Sequence, residues 1–81
     1  MQPTAMVTIR EAAIQRRAKC DLIAKYARAK GLDVDWLFVN RHFAWFERWY
    51  HGGLATGYLI RRTGVKRIPP SERKVTQHVN P

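Results

Sequence analysis

The chain has 81 residues, enough for one small domain that buries roughly 60% of the surface exposed by its unfolded state. It carries 15 Lys and Arg against 6 Asp and Glu, for a formal net charge of +9, which favours nucleic acid or another acidic surface as a partner. The single Cys20 excludes an intramolecular disulfide. Because no apolar run has the length of a membrane span and the first residues lack the apolar core of a secretory signal, we expect an intracellular or virion-associated protein.

The first predicted element is a helix from Ile9 to about Lys30. Thr8 and Glu11 have the spacing of a capping box, in which each side chain bonds the other residue's backbone N–H. Gly31 is a suitable residue just past the helix end. Projected on a helix, mostly small residues line one side: Ile9, Ala13, Cys20, Ile23, Ala24 and Ala27. We therefore expect this helix to pack closely against a neighbour that has bulky side chains.

The bulky neighbour is predicted to be a second helix, from roughly Val34 to Tyr50. Residues 36–50 contain three Trp, three Phe and one Tyr, and Asp33 or Asp35 is expected to cap the helix start. The sequence thus predicts an antiparallel hairpin across the GLDVD turn. The aromatic side spans about half of the helix circumference, more than one packed helix covers. We therefore predict that Trp45 and Trp49, at its edge, contact a partner, with an entirely core role as the alternative.

A short third helix is predicted from Leu54 to Thr63, between the break at Gly52 and Gly53 and a stop at Gly64. Pro69 and Pro70 oppose a continuation of this helix, and PPSERK could start a single turn with Ser71 as its cap. The predicted fold is therefore all-α: a small helical hairpin of two main helices with a short third helix in residues 1–64, followed by an extended basic C-terminal tail in residues 65–81.

The cations of the tail are expected to contact phosphate or an acidic protein surface. Glu72 is the one acidic residue after position 60, so these cations must take their counter-charge from solvent ions or from a partner. Three arginines of the first helix extend the same predicted contact set: Arg10, Arg17, Arg28, Arg61, Arg62, Lys66, Arg67, Arg73 and Lys74. Binding through such residues should depend steeply on salt and weakly on base sequence.

Catalytic and metal chemistry have little support in the sequence. His42, His51 and His78 share no metal-ligand spacing with one another or with Cys20. Glu47 and His51 are four residues apart on the predicted helix and could act as an acid/base pair, although a solvated surface pair is the simpler interpretation. We expect a protein that is not an enzyme and that has no metal or cofactor.

A helix-turn-helix is one alternative for DNA binding. Ala27, Gly31, Leu32 and Leu37 have its spacing, but Asn40 stands where an apolar residue is usual, and the second helix is rich in Trp and Phe instead of base-reading side chains. The favoured interpretation is a small basic structural or adaptor subunit of a nucleoprotein assembly, such as a phage virion or a ribosome-like particle. The alternative is a free-standing regulator, either helix-turn-helix-like or a small phage-type inhibitor of a host machine. The sequence leaves the oligomeric state open.

Overall fold

The chain folds mainly into helices, which confirms the predicted all-α class. A computed structural model describes residues 8–72. In chain order its main elements are α1 (Ile9–Ala29), β1 (Leu32–Asp33), α2 (Trp36–Arg41), α3 (Phe43–Tyr50), α4 (Thr56–Thr63) and β2 (Lys66–Arg67). None of these helices is long and apolar enough to cross a membrane. The predicted contact residues Arg73 and Lys74, like the rest of the tail beyond position 72, lie outside the described residues.

The ends of α1 follow the local signals in the sequence. The Thr8 hydroxyl accepts a hydrogen bond from the Glu11 backbone N–H at 3.1 Å, and Glu11 accepts one from the Thr8 N–H at 3.4 Å. At the other end, Gly31 adopts a φ of 91°, in the left-handed region that a residue without a Cβ enters at little cost. The predicted capping box and glycine stop are both confirmed.

The predicted continuous helix from Val34 to Tyr50 is wrong, because the chain breaks it at His42. Asp35 caps α2 by accepting from the Phe38 N–H at 3.0 Å, and α2 ends at Arg41. His42 then takes a non-helical φ of −121° and ψ of 40° and precedes α3. Neither proline nor glycine marks the break. The break divides between α2 and α3 an apolar surface that is too wide for one helix face.

The break at His42 also reverses the chain. Arg28 of α1 contacts Val34, and Cys20 contacts Asn40, so α2 runs antiparallel to α1 as predicted. Along α3 the order is opposite: Phe43 meets Arg16, whereas Tyr50 meets Tyr26. The antiparallel hairpin is therefore confined to α1 and α2, and α3 returns alongside α1 in the same general direction.

The core lies between the small side chains of α1 and the larger ones of the other elements. From α1 it takes Cys20, Ile23, Ala24 and Ala27, and from the rest of the chain Leu32, Val34, Val39, Phe46, Trp49, Leu59 and Val65. This confirms the predicted small-against-bulky packing for the C-terminal half of α1. It does not hold for the N-terminal half, where Ile9 is 88% exposed and Ala13 is also exposed.

The end of the described chain closes the fold. Helix α4 begins at Thr56, two residues after the predicted start, and ends at Gly64 in a left-handed conformation, as predicted. Beyond it Val65 is buried, and β2 pairs antiparallel with β1 in the register Leu32 to Arg67 and Asp33 to Lys66. The packed structure thus continues to β2, past the predicted tail boundary at Gly64. Such pairing joins residues more than thirty positions apart, so no local signal announces it.

Candidate nucleic-acid interface

Cationic and aromatic side chains meet on one surface of α3 and α4. Trp45 of α3 and Tyr58 of α4 lie with ring centroids 5.9 Å apart at an interplanar angle of 64°. The next turn of α4 brings Arg62 beside both rings, since residues four apart share a helix face. Its guanidinium carbon lies 5.3 Å from the Trp45 ring centroid and 5.2 Å from that of Tyr58. We call Trp45, Tyr58, Arg61 and Arg62 the arginine–aromatic cluster.

The Arg62 guanidinium is held in one orientation. Its Nε and Nη2 donate to the Tyr58 hydroxyl oxygen at 3.1 and 3.0 Å, while the rings provide cation–π contact. These two bonds occupy one edge of the planar group, and both N–H groups of Nη1 remain available. An arginine fixed in this way can offer its free donors to a phosphate oxygen with less loss of side-chain entropy than a mobile one.

No carboxylate belongs to the arginine–aromatic cluster in the part of the chain that the structure describes. Within residues 8–72 neither Arg61 nor Arg62 forms an ion pair. The two ion pairs formed there involve other cations: Asp21 pairs with Arg17 at 3.0 Å, and Glu47 pairs with Lys19 at 3.1 Å. Within the described residues, Arg61 and Arg62 are therefore open to solvent ions or to a binding partner.

Contacts of α4 with α3 and with the core position the cluster. The Trp49 indole Nε1 donates to the Thr56 hydroxyl at 3.0 Å, which ties the start of α4 to α3. Leu59, one residue after Tyr58, is fully buried, so another side of α4 is anchored in the core. At the helix end, the Thr63 hydroxyl donates to the Leu59 carbonyl at 2.8 Å and accepts from the Val65 N–H at 3.2 Å. These contacts therefore determine which residues of α4 are exposed.

The predicted cations of α1 do not join this cluster. Arg17 lies over the Trp36 ring, with its guanidinium carbon 3.7 Å from the centroid, and pairs with Asp21. Arg28 donates to the Val34 carbonyl at 3.0 Å, and Arg10 is exposed on the first turn. Sequence reasoning missed Arg16, which lies 3.9 Å from the Phe43 ring centroid. Arg16, Arg17 and Arg28 thus have structural contacts within the fold.

Lys66 and Arg67 form a second basic site, on β2. Both are exposed, and their backbones pair with Asp33 and Leu32. Arg28 lies near the same ladder, where it lines an open cavity of about 450 Å³ together with Asp33, Val34, Asp35 and Phe38. Because two carboxylates line this cavity beside one arginine, its charge is mixed and it suits a phosphate less well than the arginine–aromatic cluster does.

Trp45 and Trp49 have different environments, although the sequence grouped them. Trp45 is half-buried and belongs to the arginine–aromatic cluster. Trp49 is 7% exposed and packs against Tyr26 and Phe46, with centroid separations of 5.3 and 6.1 Å. Its place is in the core, and it offers little surface to a partner. The predicted grouping assumed one continuous helix, and the break at His42 changes which residues lie at the edge.

The residues weighed for catalysis form no side-chain hydrogen bond with one another within residues 8–72, although Glu47 and His51 line the same open cavity of about 500 Å³. Glu47 bonds Lys19, while the His51 ring lies against Tyr50 at 5.3 Å. Cys20 is buried, and its thiol donates to the Asn40 side-chain oxygen at 3.8 Å. Over the described range, no group of three or more His, Cys, Asp and Glu could hold a metal ion. His78 lies outside that range.

Comparison of the chain with protein-family models, curated proteins and solved structures finds no match. Function must therefore be inferred from the chemistry of these surfaces. The helix-turn-helix alternative gains no support from the geometry, because α1 and α2 are separated by six residues that include β1, and α2 is only six residues long. The turn of that motif has about three or four residues.

Proposed function

We propose that this protein is a small non-enzymatic structural or adaptor subunit of a nucleoprotein assembly that contacts the nucleic-acid phosphate backbone through the arginine–aromatic cluster. The observation that carries the proposal is the state of Arg62: its guanidinium is fixed by the Tyr58 hydroxyl and two rings, yet it has no carboxylate partner within residues 8–72. Phosphate supplies the missing counter-charge and matches the donor geometry of arginine.

The surface is suited to contact without base readout. Trp45 and Tyr58 are occupied with Arg62 and with each other, so they hold the cation instead of projecting as a row of stacking rings. Arg61 and Arg62 are adjacent on α4, and Lys66 and Arg67 follow on β2. Contacts of this kind position a protein on nucleic acid and carry little sequence information. That property suits an assembly subunit better than a sequence-specific regulator.

The test is a salt titration of binding to duplex DNA, single-stranded DNA and structured RNA by fluorescence anisotropy. We expect log affinity to fall linearly with log salt, by about 0.9 for each phosphate neutralised on duplex DNA. Arg62→Ala should reduce that slope by about one. Arg62→Lys should preserve the slope but lower the affinity, because the lysine keeps the charge and loses the planar fork. Arg41→Ala is the matched control, since it removes the same charge from an exposed position at the end of α2.

The contribution of the tail requires a cut that leaves the fold intact. A chain ending at Gly64 would lose buried Val65 and the β1–β2 pairing, so a change in binding could reflect unfolding. A chain ending at Glu72 removes Arg73 and Lys74 and keeps every described residue. We expect the truncated chain to bind with a shallower slope.

An acidic protein surface is the competing target for the same cations. If polyglutamate displaces the protein as effectively as duplex DNA at equal charge concentration, the target is acidic protein. If the native chain binds nucleic acid no better than a neutral control protein at low salt, or if Arg62→Ala and Arg41→Ala behave alike, the cluster is not a phosphate contact.

A further inference from the structure

The side of α1 that faces away from the core carries an apolar ridge. Ile14 is 60% exposed and Leu22 is 52% exposed, and the exposed Ala18 lies midway between them. Spacing of four residues places these three side chains in one row along the helix. At about 100° per residue, Ala18 lies opposite Ala27, which is fully buried in the core. The ridge is therefore the back of α1.

Charged residues of opposite sign flank this ridge at equal distances. Glu11 precedes Ala18 by seven residues, and Lys25 follows it by seven. Seven residues return a helix to within about 20° of the same direction. The α1 outer face, as we call it, is defined by five of the exposed residues within an arc of about 80°: Glu11, Ile14, Ala18, Leu22 and Lys25.

We propose that the α1 outer face binds the same face of a second copy of this chain, with the two helices antiparallel and a two-fold axis at Ala18. This arrangement places Ile14 against Leu22 of the second copy, and Glu11 against its Lys25. Each contact occurs twice by symmetry. At the axis alanine meets alanine, so the backbones can approach to about 8 Å, the short end of the usual interhelical distance.

The pattern of charges selects both the partner and its orientation. A parallel pair in the same register would place Glu11 against Glu11 and Lys25 against Lys25, which is unfavourable on both sides. A purely acidic partner helix would oppose Glu11, and a basic one would oppose Lys25. The antiparallel second copy satisfies both residues.

The charged side chains of the outer face are available for such contacts. Lys25 forms no ion pair within residues 8–72, and Glu11 uses Oε1 for its cap, which leaves Oε2 free. The nearby cations Arg17 and Lys19 are already paired with Asp21 and Glu47, which reduces repulsion between the copies. The dimer is expected to form without nucleic acid, because none of these residues belongs to the arginine–aromatic cluster.

The dimer should be weak. Five residues on each helix bury less than the roughly 1,200 Å² at the lower limit of a standard interface. Each chain also carries a formal charge of +9, which opposes association. We expect a dissociation constant of about 1 µM or weaker at physiological ionic strength.

The first experiment exchanges the charges and measures dimerisation of the full chain by sedimentation equilibrium. Glu11→Lys alone and Lys25→Glu alone should each weaken dimerisation about tenfold or more, because each creates two like-charge contacts. An equimolar mixture of the two variants should form a heterodimer about as tight as the native dimer, since both heterologous contacts are then complementary. Arg41→Ala should leave dimerisation nearly unchanged, apart from a small gain from the reduced net charge.

The second experiment determines the orientation by disulfide cross-linking. Ala18→Cys should cross-link rapidly under mild oxidation, because the two sulfurs face each other at the axis. Lys25→Cys should not cross-link, since the two-fold axis places position 25 of one copy about 21 Å from position 25 of the other along the helices. A parallel dimer would cross-link through both. The native Cys20 is buried and is present in both variants.

Recovery of association on mixing also shows that neither charge variant failed through misfolding. A native chain that stays monomeric at several hundred micromolar would overturn the proposal. So would charge variants that dimerise as well as the native chain, a mixture that does not recover, or efficient cross-linking through position 25.

Discussion

The hydrogen bond between Trp49 and Thr56 is expected to hold α4 in place. Thr56→Val preserves the shape of the side chain and removes the acceptor that the indole N–H meets at 3.0 Å. A net hydrogen bond contributes about 0.5–1.5 kcal/mol, and a buried donor left without a partner costs about 1–3 kcal/mol. Because Thr56 is only half-buried, water can reach part of this site, so we expect a loss of about 1 kcal/mol. That is a substantial share of the roughly 4–12 kcal/mol expected for 81 residues.

The assay is urea unfolding followed by circular dichroism, with Thr56→Ser as the control that keeps the hydroxyl. Trp49→Phe and the double variant complete a thermodynamic cycle, in which we expect a coupling energy of about 1 kcal/mol. Additive effects of the two substitutions, or a Thr56→Val protein as stable as the native one, would refute the assigned hydrogen bond. In that event some other contact would have to fix α4 and the arginine–aromatic cluster.

Three further predictions concern the packing and backbone of the fold, each measured by urea or thermal unfolding. Phe46→Ala should cost about 3–5 kcal/mol, because Phe46 is fully buried, whereas Leu37→Ala at a half-exposed position should cost far less; similar losses would contradict the assigned core. Ala24→Trp should cost about 1–3 kcal/mol by overfilling the contact of α1, and unchanged stability would show that this contact is loose. Gly57→Ala should stabilise α4 by about 0.5–1 kcal/mol, whereas Gly64→Ala should cost about 1–2 kcal/mol at its φ of 77°; equal effects would contradict the left-handed cap.

The features that could be predicted from sequence are those fixed by neighbouring residues. Thr8 and Glu11 begin α1 because their side chains reach each other's backbone within one turn. Gly31 and Gly64 follow helix ends because both adopt positive φ. The burial of Cys20, Ile23, Ala24 and Ala27 followed from their shared helix face. Each of these inferences depends only on residues that lie within two or three helical turns of one another.

The features that could not be predicted depend on distant packing. His42 resembles its helical neighbours in propensity and is not a local breaker, so the break there could not be predicted from residues close to it in the sequence. The β1–β2 pairing joins Asp33 to Lys66, which are far apart in the sequence. Ile9 is exposed because the elements that pack against α1 do not cover its first turn. A helical projection gives no information about where neighbouring elements end.

The candidate site also combines features that could be predicted from the sequence with features that could not. Composition was sufficient to select Arg61 and Arg62 as cations without nearby acids. It could not show that Tyr58 holds Arg62, although their four-residue spacing was a usable signal. The assignment of Trp45 and Trp49 to one edge depended on the phase of a continuous helix. With the break at His42, Trp49 is buried and Trp45 packs against Tyr58 of α4.

The two proposed interfaces lie on different surfaces and should be thermodynamically linked. The arginine–aromatic cluster belongs to α3 and α4, whereas the α1 outer face points away from the core that α1 shares with α3. A dimer would present two copies of the cluster. It would also bring together two chains of charge +9 each, and a polyanion would relieve the resulting repulsion. Nucleic acid should therefore strengthen dimerisation, and dimerisation should strengthen nucleic-acid binding by the same factor. Arg62→Ala should weaken this coupling while leaving the dimer formed without nucleic acid nearly unchanged, because the substitution lies outside the α1 outer face. Equal coupling in the native and Arg62→Ala chains would mean that nucleic acid screens charge generally, without using the cluster.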